Sequence, residues 1–423
     1  MKRTKIATIS IFCMCLIINA NAQKPVTIRV DPANASGESS SHIFDQIDFI
    51  PLESTKRSLF GQIDKLLVTK DYFIILDNTS TFSIFIFNRD GSFHAKISNQ
   101  NSAILPYFSY EKEKNRLLIF FLNQSAIPPQ VMASAMNNPL EVLKLYSKYA
   151  FARYFDMNGR LLNEKASSTA IADNFETARL SPYITATSFF LADKRLPDST
   201  GYQLSIMKNG RSYKSWFPYN TNKDMARCGR AAGGGGFSQA DNDSSFYFTR
   251  PLDYVIYKVT GDSVQPLYQF IFPLKNTIPE TYFTDTFNTE KDREAYFLKN
   301  PDLIKIISDV YAFNKTILFK VSSVRDVFIY GLRSGNLFSL NRLAPDIATS
   351  WLPLFGDRYN IKQIEAKEKE YVYISLSSYE MFKAKEIAGD KHLSYPKVLD
   401  AYFKSQTRKS NPVIIQLKPK GDL

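Results

Sequence analysis

The fold is decided by residues 72–97, which read YFIILDNTSTFSIFIFNRDGSFHAKI. Three short runs rich in β-branched and aromatic residues are separated by polar residues, and such runs suit the pleated surface of a β-sheet. Residues 88–91 join the last two runs, and their Asp-Gly pair predicts a tight hairpin because glycine accepts a positive φ. Residues 73–76 and 84–87 are apolar at every position, which is typical of strands covered on both faces.

The same unit returns along the chain, and each copy carries a glycine at its turn. These glycines are Gly91, Gly159, Gly210, Gly261 and Gly335. They lie 51 to 74 residues apart, which is longer and less regular than the ~40–45 residues of a WD repeat. Blades of four strands with insertions between them fit this spacing. Five marked units and one terminal unit predict an all-β chain folded as a six-bladed β-propeller, whose radial repetition leaves only short sheet edges.

Interruptions between the units predict short helical insertions on the rim of the propeller. The candidates are residues 140–148, residues 289–298, residues 301–308, and residues 379–405 with a break at Pro396. Closing the ring requires the two ends of the chain to pair, and we expect Ile47–Leu52 to pair with Val413–Leu417. Residues 23–42 are predicted to form an N-terminal strand and a linker, so that the propeller domain spans residues 43–423.

The first 22 residues have the features of a cleaved signal peptide. A basic start at residues 2–5 precedes an apolar run at residues 6–18, and residues 20–22 supply small side chains for cleavage after Ala22. The run is shorter than the ~20 residues that span a bilayer, and no later stretch is apolar enough to do so. The cysteines of this segment follow Phe12 and Met14, so a lipid anchor is not expected. We therefore expect a periplasmic or extracellular protein without a transmembrane segment in the mature chain.

The charge and the cysteine content exclude several classes of function. The formal net charge is +12, but the charges are scattered and form no basic block, so no nucleic-acid partner is expected. Only Cys228 remains after signal removal, and the core alone must hold the fold. The three histidines, His42, His94 and His392, lie far apart. No metal site and no cofactor are expected, and we expect a monomer.

Residues 228–237, CGRAAGGGGF, are the most unusual stretch of the chain. Backbone amides of glycine loops can cradle anions, but a phosphate loop needs a preceding strand and a following helix with Lys-Ser or Lys-Thr. Neither is present, which favours a flexible loop between blades. If this loop reaches the mouth of the central channel, the residues around it become the candidate ligand contacts. They are Trp216, Tyr219, Arg227 and Arg230.

Several segments are similar to a known family. The similar segments are residues 47–55, 59–65, 72–77, 84–93, 155–159 and 411–418. They resemble the opening strand, the first blade, the second-blade turn and the closing strand of the six-bladed β-propeller family of exported Bacteroidetes proteins. The resemblance spans residues 43–420 and implies the same fold, while the family is largely of unknown function. Its members often carry a glycine-proline segment after the first blade, whereas residues 98–110 contain no glycine.

The sequence predicts the fold more clearly than the function. We expect a non-catalytic binding or scaffolding propeller, because loops on a rigid scaffold commonly carry recognition. Its partner would be a glycan, a peptide or an envelope protein. The alternative is a glycan-active hydrolase or lyase that uses carboxylates at the channel mouth. That chemistry needs two carboxyl groups ~5–10 Å apart.

Overall fold

Six separate sheets make up the molecule. The structure, a computed structural model, describes residues 24–98, 104–137, 145, 148–165, 177–181, 184–188, 201–208, 211–219, 226–227, 236–240, 244–285, 287, 289–355, 363–388 and 395–423. Within these residues, 25 strands form five sheets of four strands and one sheet of five.

The first two strands join sheets whose other strands come later in the chain. They are β1 (Val26–Arg29) and β2 (Phe44–Pro51). The next three sheets follow the chain order. Blade 1 contains β3 Lys65–Val68, β4 Tyr72–Asp77, β5 Ser83–Asn88 and β6 Phe93–Ser98; blade 2 contains β7 Ile104–Glu111, β8 Arg116–Leu122, β9 Ala150–Asp156 and β10 Leu161–Lys165; blade 3 contains β11 Thr177–Ser181, β12 Ile184–Ser188, β13 Tyr202–Lys208 and β14 Arg211–Pro218.

The remaining strands build blades 4 to 6. Blade 4 contains β15 Gly236–Gln239, β16 Phe246–Thr249, β17 Val255–Val259 and β18 Val264–Ile271; blade 5 contains β19 Ile307–Phe313, β20 Thr316–Val321, β21 Val324–Gly331 and β22 Leu337–Ser339; blade 6 contains β23 Ala366–Glu368, β24 Tyr371–Leu376 and β25 Val413–Pro419. Strand β2 is the fourth strand of blade 6, and β1 is a fifth strand of blade 4 that runs parallel to β18.

The predicted ring closure is confirmed. Strand β2 pairs antiparallel with β25, from Ile47 opposite Leu417 to Pro51 opposite Val413. The first strand of each blade lies nearest the axis, since β23 contacts β3 and β15 contacts β19 across blade boundaries. The protein is thus a six-bladed β-propeller, as the sequence predicts.

The glycine marks occupy equivalent places in the blades. Gly91, Gly159 and Gly335 each lie between the third and fourth strands of a blade, with φ of +87°, +77° and +76°. Gly261 lies at the corresponding place in blade 4 without a positive φ, and Gly210 is outside the described residues. In blade 6 the third and fourth strands are β25 and β2, so pairing of the two chain ends replaces this hairpin.

The core consists of apolar layers between neighbouring blades. In blade 1, Phe73, Ile75 and Phe85 pack in one cluster with Tyr373 and Ile414 of blade 6. The alternate residues of the same strands, Ile74, Leu76, Ile84 and Ile86, pack with blade 2. This arrangement explains why both runs of the opening stretch are apolar at every position, because each blade is covered on both faces.

Six helices lie among the described residues. They are α1 Ser40–Ile43, α2 Pro129–Asn137, α3 Glu280–Thr284, α4 Glu290–Lys299, α5 Ser378–Ala388 and α6 Lys397–Ser405. Helix α4 matches the predicted helix at 289–298 and begins at a capping box formed by Thr289 and Asp292. Helices α5 and α6 divide residues 379–405 at Pro396, as predicted, and the predicted helix at 140–148 lies almost wholly outside the described residues.

The predicted helix at residues 301–308 is wrong. This segment is a turn followed by extended backbone that enters β19 at Ile307. Its backbone amides at Lys305 and Ile306 donate to the Ser322 hydroxyl at 2.7 and 3.2 Å. Tertiary partners in blade 5 therefore satisfy groups that a helix would have paired internally.

The helical insertions share one face of the propeller. Because strands within a blade are antiparallel, connections between second and third strands emerge on the same face as connections between blades. Helices α2, α5 and α6 lie in the first kind of connection, and α3 and α4 in the second kind. We call this side the insertion face and the opposite side, which carries the glycine marks, the hairpin face.

Candidate functional site

The structure describes three of the four residues that the sequence singles out. Trp216 lies half-buried on β14 and lines a pocket against the β17–β18 turn. Tyr219 follows β14 and donates its backbone N–H to the Gly201 carbonyl oxygen at 3.0 Å. Arg227 is buried, with its guanidinium carbon 5.7 Å from the centre of the Phe283 ring in α3. Arg230 lies outside the described residues.

A distorted strand at the channel marks a second candidate site. Strand β19 is the innermost strand of blade 5, and its pairing with β20 shifts register between Ser308 and Tyr311. Within this bulge Asp309 adopts a left-handed φ of +49°. A side chain in that conformation costs energy, and bulges and left-handed residues cluster next to functional sites because they aim a side chain.

Neighbouring blades hold the bulge in place. The Lys320 ammonium lies 2.7 Å from Asp309 Oδ2 and 3.0 Å from Gln363 Oε1, which immediately precedes blade 6. The Val310 amide donates to the Ser238 hydroxyl of blade 4 at 3.0 Å. The Asp309 side chain remains 39% exposed. The carboxylate is therefore fixed by a cation and still open to a ligand.

A further lysine contacts the ends of the innermost strands of blades 4 and 5. Lys367 lies on β23, and its ammonium is 3.4 Å from the carbonyl oxygen of Ala240, which follows β15 in blade 4. The same ammonium lies 5.3 Å from the centre of the Phe313 ring of blade 5. Toward the insertion face, blades 4, 5 and 6 contribute to one polar group of side chains. We name it the channel-mouth cluster, and it consists of Ser238, Asp309, Lys320 and Gln363.

The cluster opens toward the insertion face. Asp309 lies near the start of β19, and Lys320 lies near the end of β20. Gln363 lies in the connection that leads into β23. All three positions are on the side where blades are connected to each other. Hydroxyl, amide, ammonium and carboxylate groups of this kind can bind a polar ligand by hydrogen bonds.

A buried amine lies on the first strand of blade 1. The Lys65 ammonium donates to the Phe108 carbonyl oxygen at 2.9 Å and lies 3.6 Å from the centre of the Tyr107 ring. Burial lowers the pKa of Lys65 to about 7. Burial also raises the pKa of Tyr107. The carbonyl and the ring favour the charged form of Lys65 and oppose the effect of burial.

Sequence reasoning missed the channel-mouth cluster. Its members lie on different blades and are separated by up to about 130 positions, so no local motif connects them. The signal in the sequence is the polar pair Ser308-Asp309 within the mostly apolar residues 303–312. The same residues also fit a helix that ends at residue 308, and that prediction conceals the strand and its bulge.

Two further findings concern the described part of the chain. No three His, Cys, Asp or Glu side chains converge there in a way that could hold a metal ion. None of the helices described is long and apolar enough to cross a membrane.

Residues 19–102 match a family described as a 6-bladed beta-propeller. The resemblance to the exported propeller family is confirmed. A Bacteroides fragilis protein, described provisionally as exported, has a TM-score of 0.59 and 13% identity over 94% of this chain and 100% of that chain. A Bacteroides thetaiotaomicron protein of unknown function has a TM-score of 0.37 and 9% identity over 91% of this chain and 75% of that chain. No curated protein matches the sequence. At these identities the likeness concerns the propeller fold alone.

Proposed function

We propose that this propeller is an exported binding protein that holds a polar ligand at the channel mouth on the insertion face. The observation that carries the proposal is the bulge at Asp309. Asp309 has a left-handed backbone conformation on the innermost strand of blade 5. Its ion pair with Lys320, at 2.7 Å, holds the partly exposed carboxylate in a fixed position. Fixed polar groups of this kind favour binding because little freedom is lost when a ligand arrives.

Export is part of the proposal. The signal peptide at residues 1–22 lies outside the described residues, and its basic start, apolar run and small residues before Gln23 support cleavage after Ala22. The likeness to a Bacteroides protein described provisionally as exported is consistent with a periplasmic or extracellular location. The mature chain would then carry the N-terminal strand and linker at 23–42 and the propeller at 43–423.

Binding fits the channel-mouth carboxylate better than hydrolysis. A glycosidase needs one carboxyl group as acid and a second carboxylate facing it across the substrate. The channel-mouth cluster contains one carboxyl group among the described residues, that of Asp309, and it accepts from the Lys320 ammonium. A single carboxylate engaged with a cation favours a positioning role over proton transfer.

Glycan and peptide arrays probed with mature protein test this proposal. For any ligand found, we expect Asp309→Asn and Lys320→Met each to weaken binding about tenfold or more, because each removes one charge-assisted hydrogen bond. Arg333→Met is the matched control, since its exposed ion pair with Asp422 lies on the hairpin face. Equal binding by the unmodified protein and all three variants would contradict a site at the channel mouth. Release of reducing ends from an array glycan would support the hydrolase alternative.

A further inference from the structure

A separate pocket lies on the outer side of the propeller, between blades 3 and 4. Its volume is about 430 Å³, which falls within the ~300–1,000 Å³ of small-molecule sites. The pocket is lined by Lys214, Ser215 and Trp216 of β14 and by Asp262, Ser263, Val264 and Gln265 at the start of β18. None of these residues belongs to the channel-mouth cluster.

Strand pairing fixes the aromatic wall of this pocket. Trp216 lies opposite Leu204 of β13. Leu204 is fully buried in a cluster with Phe248 and Val259 of blade 4, and Trp216 packs against the same cluster. The indole therefore faces blade 4, partly buried by the core and partly exposed toward the pocket.

The polar wall is fixed by hydrogen bonds of the β17–β18 turn. The Lys214 ammonium donates to the Asp262 carbonyl oxygen at 3.0 Å and so ties the turn to β14. The hydroxyl groups of Thr260 and Ser263 are 2.8 Å apart and close the turn. The side chain of Asp262 remains exposed. Val264 packs toward blade 3, so the next residue, Gln265, lines the pocket with its backbone while its side chain faces the other way. The two hydrogen bonds hold the turn against β14 without a ligand.

The chemistry of the lining selects one class of ligand. An indole offers a flat apolar face, whereas the Asp262 carboxylate and the Ser263 hydroxyl offer directed hydrogen bonds beside it. A purely apolar ligand would leave these polar groups desolvated and unsatisfied, and a phosphate would meet the Asp262 carboxylate. A pyranose ring has one apolar C–H face and hydroxyl groups along its edge, which matches both walls.

We propose that this pocket binds a single pyranose ring of a glycan, stacked on Trp216 and hydrogen-bonded by Asp262. The site is independent of the channel mouth. It would allow the propeller to hold a sugar residue on its outer side, whatever ligand occupies the channel mouth. A single ring makes few contacts, so we expect millimolar affinity.

Tryptophan fluorescence tests the proposal directly. The chain contains two tryptophans, Trp216 and Trp351, so Trp351→Phe leaves Trp216 as the sole reporter. The probes are the methyl glycosides of glucose, galactose, mannose, N-acetylglucosamine and glucuronic acid. We expect a saturable change in the emission of Trp216 with at least one of them. Absence of a saturable change with all five would overturn the proposal.

Matched variants locate the response. In the Trp351→Phe background, Asp262→Asn should weaken the response about tenfold, since a charged hydrogen bond contributes ~1.5–3 kcal/mol. Asp45→Asn, an exposed carboxylate on β2, is the control and should change nothing. An unchanged titration with Asp262→Asn, or an equal response in Trp216→Phe protein that retains Trp351, would overturn the proposal. Asp309→Asn should leave the titration unchanged, which separates this site from the channel mouth.

Discussion

Lys65 places an amine in the interior, between the innermost strands of blades 1 and 2. Burial lowers its pKa from 10.5 to about 7. Between these pH values the unfolded chain binds more protons at this site than the folded chain does, so stability rises with pH across the window. Below pH 7 both states carry the charge, and the folded state bears the whole cost of burying it. Above pH 10.5 both are neutral and the cost is gone.

Thermal unfolding at pH 7 and pH 9.5 measures this contribution. Relative to Lys65→Met, which keeps the apolar length of the side chain, the wild-type midpoint should increase between the two pH values. Lys96→Met is the control, because its ammonium lies 4.8 Å from the Phe85 ring and belongs to the outermost strand of blade 1. The same pH dependence in wild-type and Lys65→Met proteins would show that the Tyr107 ring and the Phe108 carbonyl offset burial.

Asn411 secures the loop that joins the two ends of the chain. Its amide nitrogen donates to the carbonyl oxygens of Glu53 at 2.7 Å and Ser58 at 2.9 Å, and its oxygen accepts from the Phe60 amide at 3.2 Å. The side chain is fully buried. Asn411→Ala leaves three backbone groups without these partners, and an unsatisfied buried group costs ~1–3 kcal/mol. We expect a loss of at least about 2 kcal/mol of unfolding free energy in denaturant titrations.

The exposed Asn34 supplies the comparison for Asn411. Its amide nitrogen donates to Asp31 at 3.0 Å outside the core. Asn34→Ala should therefore change the unfolding free energy by less than about 0.5 kcal/mol, as surface substitutions usually do. Similar losses in both variants would contradict a special role for Asn411 in closing the ring.

The elements were predictable where their signal is local. The apolar runs of β4 and β5 reflect blades on both sides, and the glycine marks reflect hairpins between third and fourth strands. The ring closure was predictable because an end-to-end pairing is needed in any closed propeller. The start of β19 was not predictable from residues 303–308, because an apolar run alone does not distinguish a strand from a helix.

The candidate sites were less predictable than the elements. Asp309, Lys320 and Gln363 meet because blades are arranged radially, and the bulge that aims Asp309 leaves no residue pattern of its own. Trp216 is a candidate in the sequence because it lies near the glycine-rich residues 228–237. Asp262, which lines the same pocket, comes from the next blade and was not predictable in this way.

Strand β25 is the element on which the ring depends. It lies between β24 and β2 and pairs with both, so its removal leaves two strands without their shared neighbour. We expect deletion of residues 411–423 to give insoluble protein or a melt without cooperativity. Deletion of residues 422–423 alone is the control and should preserve a cooperative melt. A cooperative melt near the wild-type midpoint after the larger deletion would contradict closure by this strand.

At the scale of the whole molecule, the N-terminal segment follows the outer edges of three consecutive blades. Strand β1 pairs with β18 of blade 4. Isolated bridges then join Ser36 to Phe338 of blade 5 and Ser39 to Ala344, and β2 completes blade 6. We call residues 26–43 the N-terminal belt. Edge strands are a liability because they offer unpaired backbone groups to other chains, and the belt covers one such edge.

Deletion of part of the N-terminal belt tests where the propeller domain begins. Deleting residues 24–35 removes β1 but keeps β2, so we expect the ring to stay closed and the melt to stay cooperative. The midpoint should fall, because Ile28 and Val30 are 0% and 5% exposed and burial of such a side chain contributes ~1.5–3 kcal/mol.

The uncovered edge of β18 should promote self-association of the shortened protein. Size-exclusion chromatography detects it by comparison with the monomer expected for the full mature chain. A non-cooperative melt would mean that the belt is required for folding and that the domain begins before residue 43. An unchanged midpoint would mean that β1 contributes nothing to the stability of blade 4.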